Sequence, residues 1–253
     1  MKAMILAAGL GTRLRPLTDH RPKALVEIKG RTLLEIALSR LRKFGVSDVI
    51  INVHHFADMI QYYLQANDNF GMRIEVSRED ELLDTGGGLK KAAGFFGSGS
   101  VGDSSRSEEP FIVHNVDVLS TIDLGRMLQF HLENQALATL AVQRRKSSRY
   151  LLFNDQLQLT GRRPESDREP KLDRPGRQLQ ALAFCGIHVV SPRLLGVMFE
   201  DGAFSIITTY LRLAAEGERI LAFEADESYW RDLGSPNNLA EAAQDFEQKV
   251  IAQ

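Results

Sequence analysis

Residues 5–26, ILAAGLGTRLRPLTDHRPKALV, place two glycines, three arginines and a lysine within a few turns of one another. Gly9 and Gly11 come directly after an apolar stretch, Arg13 and Arg15 stand just beyond, and Lys23 follows Pro22. Glycine at the end of a strand lets the backbone turn tightly and brings amide N–H groups close to an anion. Guanidinium and ammonium groups supply the opposing charge. The combination reads as a cradle for a polyphosphate, with a plain strand-to-loop turn bearing solvated arginines as the alternative. It is neither a Walker pattern nor a full dinucleotide fingerprint, whose third glycine would fall where Leu14 stands.

Other residue groups bear on chemistry more weakly when taken alone. Asp117 ends an apolar run in PFIVHNVDVLS, and Asp232 lies in YWRDLG. By itself each is an ordinary strand-end or cap aspartate. The segment Asp84–Gly88, DTGGG, reads either as a helix start preceded by a loop or as backbone offered to a flat base. Thr85 is expected to cap the following helix. His54 and His55 have no third ligand at metal-binding spacing and read as packing or surface residues, while His114 and His188 read as core. Cys185, between Phe184 and Gly186, reads as a small core residue. Trp230, two residues before Asp232, is expected to support that aspartate from the same strand face.

The elements that must hold these groups alternate. KAMILAAG, DVIINVHH, MRIEVSRE and PFIVHNVDVLS read as strands, separated by helical patterns in TLLEIALSRLRKFGV, FADMIQYYLQAN and GGLKKAAGFF. DLGRMLQFHLENQ is a further helix and LATLAVQRR a further strand. This spacing predicts βαβ units and an α/β, Rossmann-like fold with a mixed, mostly parallel sheet flanked by helices. The second half is less regular. It reads as a hairpin in RYLLFNDQLQLTG, a strand in LQALAFCGIHVVSP, short helices, and a C-terminal helix over residues 235–252 with Ser235 as N-cap and Pro236 at the first position. The chain is expected to be a single domain, with a nucleotide-binding part over about 1–140 and a small sugar-binding lobe over about 141–230. Gly97–Glu109 and Arg162–Gln178 are polar or charged and rich in Gly, Ser or Pro, which predicts mobile loops or lids.

The 253 residues carry a formal net charge of -2, 43% hydrophobic and 25% charged residues, and one cysteine. No global basic field points to nucleic acid. No disulfide can form within the chain and no cysteine-based zinc site is expected, which fits a reducing cytoplasm. No apolar run approaches the roughly 20 residues of a membrane span. Composition says nothing about the oligomeric state.

AAGLGTRLRPLT…RPKAL resembles the G-x-G-T-R-x-x-P-x-T…P-K-P signature of the sugar-1-phosphate nucleotidylyltransferases. LLDTGGGL is similar to that family's nucleobase segment, VHNVDVL to its N-G-D strand end, and YWRDLGSPNNLAEA to its late W-x-D-x-G segment with the helix that follows. By pattern the chain resembles the short muramate-1-phosphate uridylyltransferases and the mannose- or heptose-1-phosphate guanylyltransferases. The resemblance implies an NTP and a sugar-1-phosphate as substrates and Mg²⁺ held by Asp117 and Asp232. It further implies Arg13 on the leaving pyrophosphate and Lys23 on the reacting phosphate. The nucleotide would lie against Leu6, Ala7, Ala8, Gly9, Gly11, Thr12, Asp84, Thr85, Gly86 and Gly87, and Asn115 would touch the sugar. The LAAG and LDTGGG segments look more like uridylyl-transferring members, so UTP is the expected donor. A guanylyltransferase and a non-catalytic nucleotide-sugar sensor are the alternatives. The chain departs from the pattern at Ala24 in P-K-P and at Val116 in N-G-D, and it shows no E-K-P segment around residues 162–178.

Overall fold

The computed structural model describes residues 1–97, 109–163 and 179–247. The two loops expected to be mobile fall, apart from their ends, outside the described residues, as does the region where an E-K-P segment was sought.

The elements run β1 (Lys2–Leu6), β2 (Glu27–Ile28), β3 (Arg31–Thr32), α1 (Leu33–Lys43), β4 (Asp48–Val53), α2 (Ala57–Ala66), β5 (Arg73–Arg78) and α3 (Asp84–Lys91). Then follow β6 (Phe111–Asn115), β7 (Val118–Ser120), α4 (Leu124–Glu133), β8 (Ala138–Gln143), β9 (Leu151–Phe153), β10 (Leu159–Arg162) and β11 (Gln180–Val190). The chain closes with α5 (Arg193–Val197), α6 (Ile206–Ala215), β12 (Ile220–Glu224), β13 (Trp230–Asp232) and α7 (Pro236–Glu247).

Nine strands form one sheet in the order β10-β9-β11-β6-β1-β4-β5, with β8 paired to β11 and β12. Strands β6, β1, β4 and β5 are parallel, as is the β8–β12 pair, while β11 runs antiparallel to β6, β8 and β9. The strands of residues 141–230 therefore extend the same sheet rather than form a separate one. Among the described residues β7 and β13 make a separate antiparallel ribbon at the site end, and β2 and β3 form a second two-stranded pair. Gly186 takes φ +72° within β11, next to a register shift between Phe184 and His188, and the strand passes there from β6 to β9.

Both faces of the sheet are covered, which is why its central strands are apolar throughout rather than alternating. Along β1, Ala3 and Ile5 join one apolar cluster with α1, α2, α4 and α7, while Met4 joins another with α3, α5 and α6. α1 buries Leu33, Leu34, Ile36, Ala37, Leu38 and Leu41 on one face, and its N-cap Thr32 accepts from the Glu35 amide at 3.0 Å. Each such leucine contributes about 1.5–3 kcal/mol by burial.

From β1 the chain builds outward through β4 and β5, then returns to place β6 on the other side of β1. The strand order reverses between β1 and β6, and open α/β sheets bind ligands in the crevice outside the C-terminal strand ends at such a point.

Candidate functional site

A cleft of about 530 Å³ opens at this reversal. It is lined by Leu6, Ala7, Ala8, Gly9, Gly11, Thr12 and Arg13 after β1, by Asn115, Val116 and Asp117 after β6, and by Lys23, Asn52, Leu82, Asp84, Thr85, Ala203 and Gly234. Ala7 and Ala8 are buried, while Gly9, Thr12 and Arg13 stand exposed at the mouth. Among the glycines of this loop only Gly11 needs to be one. Its φ is +66°, and a Cβ there would lie 3.0 Å from the Thr18 methyl and 3.2 Å from Lys23 Cβ. The Thr18 hydroxyl donates to Gly11 O at 2.8 Å and holds the turn. Leu14, where a dinucleotide fingerprint would have glycine, is fully buried and anchors the short helical turn Thr12–Leu14.

Lys23 is 9% exposed, and its ammonium group forms an ion pair and hydrogen bond with Asp117 Oδ2. Asp232 comes to the same place through the β7–β13 ribbon. It pairs with Val118, and the Leu233 amide donates to Asp117 O at 2.7 Å. The Asp232 carboxylate accepts from the Gly234 amide at 2.8 Å. A Cβ on Gly234 would lie 2.5 Å from an Arg13 guanidinium nitrogen and 2.6 Å from Asp232 Oδ1, so both side chains converge on that glycine. Asp117 lines the cleft together with Lys23 and Arg13, whereas Asp232 does not line it and stands beside it, its carboxylate against the lining residue Gly234. Two carboxylates on neighbouring backbones next to a lysine and an arginine are a donor set that suits a hard divalent cation. Such an ion takes one or two carboxylates together with phosphate oxygens and water.

Helices hold the ribbon. From α1, the Arg40 guanidinium donates to Ser120 O and Ile122 O and lies over the Phe44 ring at 5.5 Å. Burial pushes its pKa down to about 10, with Asp123 opposing, so it stays charged at neutral pH. From α7, Asp245 and Glu241 pair with Arg231, the Tyr229 hydroxyl donates to Asp245 Oδ2 at 2.5 Å, and the Asn238 amide donates to Asp232 O at 2.7 Å. Burial, with Asp245 beside it, pushes the Tyr229 hydroxyl up to about 12. Trp230 does not support Asp232. Its indole N–H donates to Cys185 O at 2.7 Å and the Arg145 guanidinium stacks on it at 3.6 Å, so it ties the ribbon to β11. Cys185 itself is fully buried, and burial pushes its thiol up to about 12, as a core residue requires.

The base segment is built differently from its sequence appearance. The helix begins at Asp84, which takes φ +58°, and its N-cap Leu83 offers no side-chain oxygen. Thr85 does not cap this helix; its hydroxyl oxygen accepts from the Ile206 amide at 3.0 Å, at the start of α6. Gly86 and Gly87 are buried and do not line the cleft. A Cβ on Gly86 would lie 2.3 Å from the Phe204 ring, and one on Gly87 would lie 2.4 Å from Gly202 O. The glycine run thus lets α3 approach the 202–204 loop. Asp84 and Thr85 face the cleft. Val116 is 5% exposed and sits in the core beneath the β1 end, so the departure from glycine is absorbed by packing. Asn52 and Ala203 are cleft residues outside the motifs, and Leu82 and Gly234 are cleft residues that lie within the LLDTGGGL and W-x-D-x-G segments but were given no site role.

The chain matches the family model described as nucleotidyl transferase over residues 2–154. It is 33% identical to the N-acetylmuramate alpha-1-phosphate uridylyltransferase of Caulobacter vibrioides over 242 residues, covering 92% of each chain. It is 30% identical to the mannose-1-phosphate guanylyltransferase of Mycobacterium tuberculosis, covering 96% of this chain and 64% of that one. In structure it is similar to a UDP-glucose pyrophosphorylase solved with UDP-glucose, at a TM-score of 0.79, 19% identity and 98% coverage of both chains. With the cleft at the sheet's switch point and these matches together, the chain belongs to the nucleotidyl transferase family, among its sugar-1-phosphate nucleotidylyltransferases.

Proposed function

We propose that this enzyme transfers a uridylyl group from UTP to a sugar-1-phosphate, with Mg²⁺ as the metal. The observation that carries the reading is that Arg13, Lys23 and Asp117 line one end of the cleft, with Asp232 next to them against Gly234. A non-catalytic sensor would have no need of that set. In the transfer, an oxygen of the sugar-1-phosphate forms a bond to the α-phosphorus, the bond from that phosphorus to the β-phosphate's bridging oxygen breaks, and pyrophosphate leaves. This chemistry needs positioning and charge neutralisation rather than covalent help. A divalent cation held by Asp117 and Asp232 would offset phosphate charge. Arg13, at the mouth beside Gly234, meets the charge growing on the pyrophosphate. Lys23, held inward by Asp117, faces the reacting phosphate. In this reading Asn115, which ends β6 and lines the cleft, contacts the sugar.

Support for UTP comes from the relative that matches over most of both chains, a muramate-phosphate uridylyltransferase, and from Ala8, whose buried methyl narrows the cleft wall. That relative also makes an N-acetylated acidic amino-sugar 1-phosphate the first acceptor to test. A guanylyl reading on mannose-1-phosphate is the second, favoured by the mycobacterial match. Pyrophosphate release with UTP, CTP, dTTP, GTP and ATP against several sugar-1-phosphates decides between them. UTP should give the highest kcat/KM, with discrimination of about 10–200-fold if shape alone selects the base. A higher value for GTP moves the protein to the guanylyl side, and binding without pyrophosphate release identifies a sensor.

A further inference from the structure

The two walls of the nucleotide cleft, the end of β1 and the Leu82–Thr85 segment, are joined beneath its floor by a buried polar relay. The Ala7 amide donates to Asn52 Oδ1 at 2.8 Å. Asn52 Nδ2 donates to Glu79 Oε1 at 2.7 Å, and the Leu83 amide donates to Glu79 Oε2 at 3.0 Å. Asn52 and Glu79 are each 2% exposed. Glu79 is itself fixed, since its amide donates to Val53 O at 2.7 Å and its carbonyl bonds the His54 Nδ1 at 2.9 Å. Gly88 makes the room: a Cβ there would lie 2.7 Å from both Asn52 Nδ2 and Glu79 Oε1.

We infer that Glu79 is a positioning residue for the nucleotide cleft, setting through Asn52 the separation of its two walls. The inference rests on the nucleotidyl-transfer reading. Glu79 does not line the cleft, so it acts through others. The polarity of the relay explains why a carboxylate stands in a buried place. Both ends, the Ala7 and Leu83 amides, donate inward. One primary amide and one carboxylate between them supply acceptors for both ends and for the amide's own N–H. Replacing Glu79 by an amide turns one acceptor into a donor, and whichever way the two amides rotate, one donor faces another donor. An unsatisfied buried polar group is costly, so the walls move apart.

The experiment exchanges the two groups. Glu79→Gln alone should raise the KM for UTP about tenfold and speed amide exchange at Ala7 or Leu83 by a similar factor, with the KM for the sugar-1-phosphate little changed. Asn52→Asp alone sets two carboxylates face to face and should do at least as much harm. The double variant Asn52→Asp/Glu79→Gln restores the pattern, because the introduced carboxylate accepts from Ala7 and from the introduced amide, whose oxygen accepts from Leu83. It should return both amide protections to near the original values; because Asn52 lines the cleft, the introduced carboxylate also acts on the nucleotide, so the KM for UTP is read from Glu79→Gln alone. A merely structural role would lower the active fraction, hence kcat, without moving the KM for UTP. Where a single variant fails to fold, recovery in the double variant supports the relay and failure to recover overturns it. An unchanged KM and unchanged protection in Glu79→Gln also overturns it. Absence of UTP turnover in the unmodified protein is a separate result that overturns the functional reading; the amide-exchange pattern still tests the relay.

Discussion

Asp117 and Asp232 are 115 positions apart in sequence, and each bears on the reacting phosphates in our reading. Replacing either by asparagine keeps the shape and removes a charge. Turnover should fall at least about 10²-fold at saturating Mg²⁺, since a metal-held charge is worth several kcal/mol in the transition state. The melting temperature should change little for Asp232→Asn and fall for Asp117→Asn, which leaves the buried Lys23 ammonium without its counter-charge. Near-normal rates in either variant exclude that aspartate as a ligand. Arg13 and Gly234 form a second pair. Arg13→Ala should cost about 10²–10³-fold in kcat, the scale for one preorganised charge-stabilising donor. Gly234→Ala should give much of the same loss by pushing the guanidinium aside, because the new methyl would meet its flexible end at 2.5 Å. A rise in KM for the nucleotide with unchanged kcat would show that Arg13 serves ground-state binding only.

At the scale of elements, the informative case is the glycine run of α3. If Gly86 met the base, adding a methyl would change nucleotide preference. The packing against Phe204 predicts a stability effect instead, because the methyl would lie 2.3 Å from the ring and 2.9 Å from the backbone oxygen. Gly86→Ala should therefore destabilise by about 1–3 kcal/mol, the usual cost of overpacking, read from denaturant midpoints. The ratio of kcat/KM values for UTP and GTP should stay within a factor of two to three, as expected from unperturbed base contacts. An undiminished midpoint with a shifted ratio would put Gly86 at the base. The ribbon β7–β13 makes a related point: its hold on Asp232 comes from α1 through Arg40 and from α7 through Asp245 and Asn238.

For the molecule as a whole, three neutral imidazoles are buried, His114 and His188 on β6 and β11 and His131 on α4 where it packs on β8. Burial pushes His114 and His131 down to about 4 and His188 down to about 3. His188 bonds the buried Tyr210 hydroxyl at 2.5 Å and His131 bonds Thr139 Oγ1 at 3.0 Å. The ordinary value in an unfolded chain is about 6.5. The unfolded state thus takes up protons that the folded state refuses. The stability these residues permit is fully present above pH 6.5 and is lost as pH falls from there toward 4. Each adds up to about 1.4 kcal/mol per pH unit to the slope. Urea midpoints should be flat from pH 8 to 7 and fall between 6.5 and 5. That window lies above the carboxylates, since Glu200 and Glu218 are held below their usual range by Arg212 and Arg193. No described helix is long and apolar enough to cross a membrane. His131→Gln should flatten the fall, and a midpoint independent of pH down to 5 would contradict the account.

Periodicity and turn chemistry are local, so the sequence alone determined the alternation of strands and helices, the parallel core of the sheet and the tight glycine turn at Gly11. Arg13 and Lys23 were legible beside the Gly11 turn and Pro22, whereas Asp117 and Asp232 read by themselves as ordinary strand-end aspartates and gained a role only through the resemblance to a family signature. Asn52 was not, because it looks like one more residue of the strand DVIINV; only the pairing of Leu6 with Asn52 across β1 and β4 sets its amide beside Ala7. Ala203 was hidden because its neighbours in the cleft are distant in sequence, whereas Gly234 was in view as the end of the W-x-D-x-G segment and only packing gave it Arg13 as a neighbour. Thr85 and Gly86 carried a correct signal with the wrong object: the cap and the close approach are real, but their partner is the α6 entry, more than a hundred residues on. Spacing along the chain fixes which face of an element a residue takes, whereas register and packing between elements fix what that face meets.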